Sequence, residues 1–223
     1  MSILKKILRA IREWIYPTTA ICMGCNSEAG FDRPWLCDEC REKLTRSWIG
    51  ASLPPEGCFV DGAAFAYEYH GPAGSMVRNL KYRGILNLAD LMADDMIKAL
   101  KTIEPIGAEM IVSVPMHPKR IKKRGYNQAE VLAKKVSERI GVPYISCLHR
   151  VRNTRQQARL SDAERLKNLK NAFRAEDSVS GKCVLLIDDV CTTGGTAHSC
   201  AEALRAAGAK NVFLLCFAIA KHR

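Results

Sequence analysis

The stretch Val184-Leu185-Leu186-Ile187-Asp188-Asp189-Val190-Cys191-Thr192-Thr193-Gly194-Gly195-Thr196 decides the fold. Its leading apolar run reads as a strand buried on both faces, which carries two adjacent carboxylates to a sheet edge. The Thr/Gly run then opens a helix whose first N–H groups lack intrahelical partners, so with the helix dipole they make a cradle for an anion. Hydroxyls of Thr192, Thr193 and Thr196 can donate to phosphate oxygens, and the glycines permit close backbone approach. Asp188 and Asp189 repel a bare phosphate and should face hydroxyls or a cation. A sugar phosphate with bound Mg2+ satisfies both halves. Neither a GxxxxGK[ST] loop nor a GxGxxG context is present.

Outward from this stretch, strands and helices alternate. Residues 58–69, 109–114, 142–148, 183–187 and 211–217 read as strands, and 86–100, 128–140 and 196–207 as helices, with Gly208 a helix stop. Ser161-x-x-Glu164 is a capping box, so a helix should start there and run to about residue 171. The expected fold is α/β, a mostly parallel sheet covered on both faces, with ligands at the carboxyl ends of its strands.

Near the N-terminus Cys22-x2-Cys25 and Cys37-x2-Cys40 pair four thiols as two knuckles. Two such knuckles complete a tetrahedral sulfur shell suited to structural Zn2+, with no open position for catalysis. Redox pairs or disulfides are the competing reading. Metal binding would supply folding free energy to a segment too small for its own core. Cys58, Cys147, Cys183, Cys200 and Cys216 stand singly in apolar surroundings, as small core hydrophobes do. Residues 1–16 place Ile3, Leu4, Ile7, Leu8, Ile11, Trp14 and Ile15 on one face of an amphipathic helix. The charges that recur through it leave neither a membrane span nor a signal-peptide core, so the expectation is a cytoplasmic protein, docked through this helix on its own body or a partner, or peripheral at the inner membrane face. The organisation is then helix 1–16, zinc-binding module 17–57 and α/β domain 58–223.

The 223 residues, 48% hydrophobic and 26% charged, have a globular composition that excludes disordered, collagenous and all-membrane classes. Lys+Arg 34 against Asp+Glu 23 leaves a formal charge of +11, which points to phosphates, nucleic acid or an anionic surface as partners. The excess is concentrated in residues 119–124 and 150–174. Lys81-Tyr82-Arg83 and Lys122, Lys123, Arg124 with Tyr126 interleave cations with aromatic faces, as single-strand stacking platforms do.

The 184–196 stretch resembles the ribose-phosphate signature of type I phosphoribosyltransferases, which bind phosphoribosyl pyrophosphate (PRPP) with Mg2+. Val114-Pro115-Met116-His117-Pro118-Lys119-Arg120, Arg124-Gly125-Tyr126-Asn127-Gln128-Ala129, residues 150–160, Arg165-x-x-Asn168, Phe173, Leu80-Lys81-Tyr82-Arg83-Gly84 and the four cysteines extend this to a resemblance to the ComF/GntX family over nearly the whole chain. Such proteins couple a zinc module to a phosphoribosyltransferase-like domain and are linked to DNA uptake in naturally competent bacteria. The resemblance implies that Asp188 and Asp189 bind the ribose hydroxyls and Mg2+, and that Thr192, Thr193, Gly194, Gly195 and Thr196 hold the 5′-phosphate, with Val190 and Cys191 in the same PRPP-binding stretch. Met116, His117, Pro118, Lys119 and Arg120 would form the pyrophosphate loop. Residues 150–160 would close as a lid that excludes water, with Arg152, Arg155 and Gln157 as contacts. Cys191 is a bystander whose thiol pKa a helix N-terminus should lower. The implied function is transfer of phosphoribosyl to an unidentified acceptor, with residues 81–83, 122–124 and 126 as acceptor or nucleic-acid contacts. The alternative is a non-catalytic PRPP-liganded single-stranded DNA-binding or adaptor protein working with a competence helicase or the membrane transport machinery.

Overall fold

The computed structural model describes residues 19–30, 35–55, 58–103, 106–152 and 171–220. The helix expected over 1–16, the capping box and the helix after it lie outside these residues. The chain runs through β1 (Thr19–Ile21), β2 (Glu28–Gly30), α1 (Asp38–Arg46), β3 (Trp48–Ser52), β4 (Gly62–Glu68), α2 (Gly71–Arg78) and a π-helical turn (Asn79–Arg83). It continues with α3 (Leu88–Leu100), β5 (Met110–Ser113), α4 (Pro118–Arg124), α5 (Gln128–Ile140), β6 (Leu148–Arg150) and β7 (Phe173–Ala175). After a 3-10 turn (Asp177–Val179) come β8 (Cys183–Cys191), α6 (Gly195–Ala206) and β9 (Asn211–Ile219).

The main sheet has the order β3-β4-β9-β8-β5. Its pairs β4–β9, β9–β8 and β8–β5 are parallel, and β3 adds antiparallel to β4. This is the mostly parallel α/β sheet expected. The central strands are buried on both faces because their side chains alternate between two apolar clusters. Leu185, Ile187, Leu215 and Phe217 face α2, α3 and α5. Val184, Leu186, Leu214 and Cys216 face α6 and the β6–β7 hairpin. Cys22, Leu36, Cys40 and Leu44 join the first cluster, so the cysteine segment is packed on the sheet's helical cover.

One expectation changes. Residues 142–148 do not form a main-sheet strand: only Tyr144 bridges to Ile111, and the chain then turns into β6, which pairs antiparallel with β7. Pro143 has no N–H to donate, and Gly141, Pro143, Ile145 and Ser146 are exposed, so this segment lacks the two-sided burial that carries β8. β3 lies before the boundary expected near residue 57 yet is hydrogen-bonded into the main sheet. No helix among the described residues is long and apolar enough to cross a membrane.

Candidate functional site

The carboxyl ends of β4, β5 and β8 open onto one cleft of about 440 Å3. Tyr69 follows β4, Val114, Pro115 and Met116 follow β5, and Asp188, Asp189 and Val190 come from β8 itself. Asn127 and Gln128 enter from the start of α5, Arg120 from α4 and Arg150 from β6. Beyond β8 the chain turns through Thr192, Thr193 and Gly194 into α6. Gly194 has φ +78°, and a Cβ there would approach Pro55 Cβ to 2.6 Å, so glycine is required both by conformation and by space. No side chain among the described residues caps the α6 N-terminus, which leaves its first-turn N–H groups directed at the loop. Thr192 and Thr196 line the cleft, with Cys191, Thr193 and Gly195 behind or within the turn.

The acids are not equivalent. Asp188 Oδ1 accepts from the Asp189 N–H at 2.8 Å. Burial and the neighbouring Asp189 push the Asp188 carboxyl well above its ordinary range, while Lys81 works in the opposite sense. Asp189 is gripped on both oxygens: Lys81 Nζ is 2.6 Å from Oδ2, and Gln128 Nε2 donates to Oδ1 at 3.4 Å. Arg124 orients Gln128 by donating to its Oε1 at 2.5 Å. Burial opposes charge on Lys81, but Asp189 outweighs it and holds the ammonium pKa above its usual value. Arg150 stands over the Phe173 ring at 5.3 Å, and burial with nearby Arg120 lowers its pKa. Two acids, a caged lysine and two converging arginines thus share a cleft beside an uncapped helix N-terminus. That set complements a ligand bearing hydroxyls or a cation at one end and several anionic groups at the other.

Not every expected contact lies here. His117 caps α4, its Nδ1 accepting from Lys119 N–H at 3.2 Å, and Pro118 and Lys119 are exposed on the same helix. Of the pyrophosphate-loop residues, Met116 and Arg120 reach the cleft. Arg152 is exposed, and Arg155 and Gln157 lie outside the described residues. The Cys191 thiol moves opposite to expectation: burial pushes its pKa up to about 12, overriding the helix terminus. A second groove of about 520 Å3 adjoins the cleft and is lined by Lys81, Tyr82, Arg120, Lys123, Arg124 and Tyr126. Tyr82 is 73% exposed with the Arg124 guanidinium 5.2 Å over its ring, whereas the Tyr126 hydroxyl donates to the Leu80 carbonyl. Arg83 turns away to Asn26, and Lys122 is exposed on α4. Sequence reasoning does not single out Arg150, Asn127 and Gln128 as site residues, although Arg150 opens the second basic segment and the other two sit in the Arg124–Ala129 motif.

The four cysteine sulfurs lie within 4.8 Å of one another, and those of Cys25 and Cys37 are 3.7 Å apart. A tetrahedron with metal–sulfur bonds of about 2.3 Å has edges of about 3.8 Å, so the spacing fits Zn2+. Backbone N–H groups of Gly24 and Cys37 both point at Cys22 Sγ at 3.3 Å, as donors to a thiolate do. The Ser27 hydroxyl and N–H lower the Cys25 thiol to about 6, whereas burial raises Cys40. A Cβ on Gly24 would come within 2.7 Å of Cys40 Sγ, so the first knuckle closes only over glycine.

Comparison with known proteins bears on both parts. The phosphoribosyl transferase domain family matches residues 121–223, which include Arg150, Asp188, Asp189 and the turn at 192–194. DNA utilization protein YhgH of Escherichia coli O157:H7 is 32% identical over 206 residues, 88% of this chain and 88% of that protein. Competence protein F of Haemophilus influenzae is 29% identical over 202 residues, covering 86% and 87% of the two chains. Competence protein ComFC of Bacillus subtilis is 27% identical over 218 residues, covering 82% and 88%. Among solved structures, the allosteric regulatory enzyme of purine biosynthesis aligns with a TM-score of 0.39 at 24% identity, over 57% of this chain and 25% of that one.

Proposed function

The chain belongs to the ComF family of phosphoribosyltransferase-like proteins, and from that premise we propose that its cleft binds PRPP with Mg2+ and transfers the phosphoribosyl group to an acceptor in a DNA-uptake or DNA-utilization pathway. The observation that carries this reading is the convergence of Asp188, Asp189, Arg120 and Arg150 beside the uncapped start of α6. Asp188 and Asp189 accept from the ribose hydroxyls. The α6 N–H groups with Thr192 and Thr196 take the 5′-phosphate. Arg120 and Arg150 face the pyrophosphate, whose charge grows as its bond to C1 breaks and an acceptor lone pair forms the new bond. Mg2+ would neutralise pyrophosphate oxygens when bound. The four cysteines hold a structural zinc ion.

The adjoining groove supports a second reading. Tyr82, exposed beneath Arg124, offers a stacking face flanked by Lys81 and Lys123, which suits single-stranded nucleic acid. In that case PRPP is a bound effector and the groove carries the DNA function.

Calorimetric titration of the zinc-loaded protein with PRPP and Mg2+, beside an Asp188→Ala/Asp189→Ala variant, tests it. Saturable binding lost in the variant is the expected result, and a screen of nitrogen acceptors for pyrophosphate release follows. No binding by well-folded wild-type protein overturns the proposal and leaves the groove as the functional surface.

A further inference from the structure

The first cysteine knuckle and the acid pair are joined through a single turn. The Met23 carbonyl, between Cys22 and Cys25, accepts from Asn79 Nδ2 at 2.9 Å. Asn26, just beyond the knuckle, accepts from Arg83 Nη1 at 3.2 Å. Asn79 and Arg83 are the first and last residues of the π-helical turn. The knuckle therefore holds the turn at both ends, and Pro72 of the preceding α2 lies against Gly24, where a Cβ would stand 3.1 Å from it. Midway between the two grips, Lys81 reaches into the cleft and places Nζ 2.6 Å from Asp189 Oδ2. A π-turn inserts a residue into helical register and so re-aims side chains, which is why such turns concentrate at functional sites.

The ion pair occupies the carboxylate that a ligand's hydroxyls or divalent cation must reach. Asp189 is almost fully enclosed, its side chain 3% exposed, and Gln128 satisfies its other oxygen. Anything binding at Asp189 has to take the place of Lys81. Lys81 also lines the second groove together with Arg120, so a displaced ammonium has an anion-facing position within its reach.

We propose that Lys81 is a built-in counter-cation of the acid pair, positioned by the cysteine knuckle, which excludes divalent cations from Asp189 until a polyanionic ligand draws the ammonium towards Arg120. This rests on the reading of Asp188 and Asp189 as the ligand-binding acids. Its consequence is selectivity: a free metal ion must displace a cation and gains nothing in return, whereas a ligand carrying both cation and phosphates re-pairs every charge. Lys81 is thus a positioning residue that acts through Asp189, and the zinc module reaches the chemistry through residues 79–83.

The test is a Mn2+ titration of zinc-loaded, full-length protein without PRPP, read by the electron paramagnetic resonance of free Mn2+. Lys81→Met and Lys81→Gln are expected to bind Mn2+ about tenfold tighter than wild type or more, because removing a charge in contact shifts such equilibria by at least that factor. Lys81→Arg keeps the wild-type affinity, and adding Asp189→Asn to Lys81→Met cancels the gain. Asn79→Leu/Arg83→Ala, which frees the turn from the knuckle, moves Mn2+ affinity in the same direction by a smaller factor. Unchanged Mn2+ affinity in folded Lys81→Met and Lys81→Gln, or a gain that survives Asp189→Asn, overturns the proposal. An unchanged Asn79→Leu/Arg83→Ala variant overturns the role of the knuckle. Failure of the PRPP reading shows separately, as absent PRPP binding by wild type whatever the Mn2+ results.

Discussion

Two tight turns, residues 192–194 at the cleft and the first cysteine knuckle behind the 79–83 turn, are ordered by different means. Residues 192–194 hang between β8, a strand of 9 residues buried on both faces, and α6, a helix of 12. Pro55 packs where a side chain at Gly194 would sit, so the loop's form is over-determined by its surroundings. The Cys22–Cys25 knuckle hangs from β1 and β2, strands of 3 residues each, too short to hold anything by ladder bonds alone. Its form depends on four sulfurs gathering around a common point. Burial builds the first turn, and on the zinc reading coordination builds the second, so each should respond to a different insult. Asn79 and Arg83 are where the difference should leak across.

The largest effect expected is from Cys37→Ser, or from a strong zinc chelator. Coordination energy is folding energy in such a module, and Leu36, Cys40 and Leu44 belong to the main apolar cluster. Loss of metal should therefore cost on the order of several kcal/mol and lower the melting temperature of the whole chain. Metal content measured beside thermal unfolding checks this; an unchanged melt after full zinc removal would show that the knuckle is held by burial after all.

Gly194→Ala ranks next and strikes the opposite turn. A positive φ imposed on alanine costs about 1–3 kcal/mol, with the Pro55 contact added. PRPP affinity should fall while zinc content stays at wild type. Adding Pro55→Gly separates the two causes, since it removes the Cβ and Cγ that make the contact and leaves the dihedral strain at residue 194. Full recovery in the double variant would mean that the backbone conformation carries no cost.

The smallest effect sharpens the electrostatic side. Burial and Asp189 raise the Asp188 pKa, so on titration the folded state releases this proton at higher pH than the unfolded chain does. Stability contributed by this group is thus complete at low pH and is lost as pH rises through the raised value. Asp188→Asn removes that loss. Its melting temperature should exceed wild type by a few degrees near pH 8, with the gap closing towards pH 4, while PRPP binding disappears. A gap independent of pH would sink the buried-charge account. A stabilising change that abolishes the site is what stored electrostatic strain predicts.

How much of this is legible in the sequence depends on range. β8 can be read because its apolar run, its acids and the Thr/Gly turn are contiguous, and apolar spacing alone places α5 at Gln128–Ile140. The four cysteines can be read because coordination imposes spacing. Helix α2 is hard to see since Gly71, Pro72 and Gly74 suggest a turn, yet proline opens the helix and Ala73, Met76 and Val77 bury one face. β3 is hidden by Gly50, whose φ of +79° sits inside the strand. The neighbours Tyr82 and Arg83 suggest the acceptor groove for Lys81; its pairing with Asp189 joins residues more than a hundred positions apart, which no local pattern encodes. His117 shows the reverse, a residue whose Nδ1 is committed to a local capping bond that its loop position does not advertise.

A chain cut at residue 57 to isolate the α/β half would lose Trp48–Ser52 and leave β4 without its outer neighbour. Residues 63–67 of β4 are all buried, so the cut would bare an apolar ribbon with a full row of unsatisfied N–H and C=O groups. Such a ribbon is a template on which other copies can stack. The shortened protein should collect in the insoluble fraction to a greater extent than one beginning at Trp48, which makes the short antiparallel strand a guard against self-association as well as a link between the two halves.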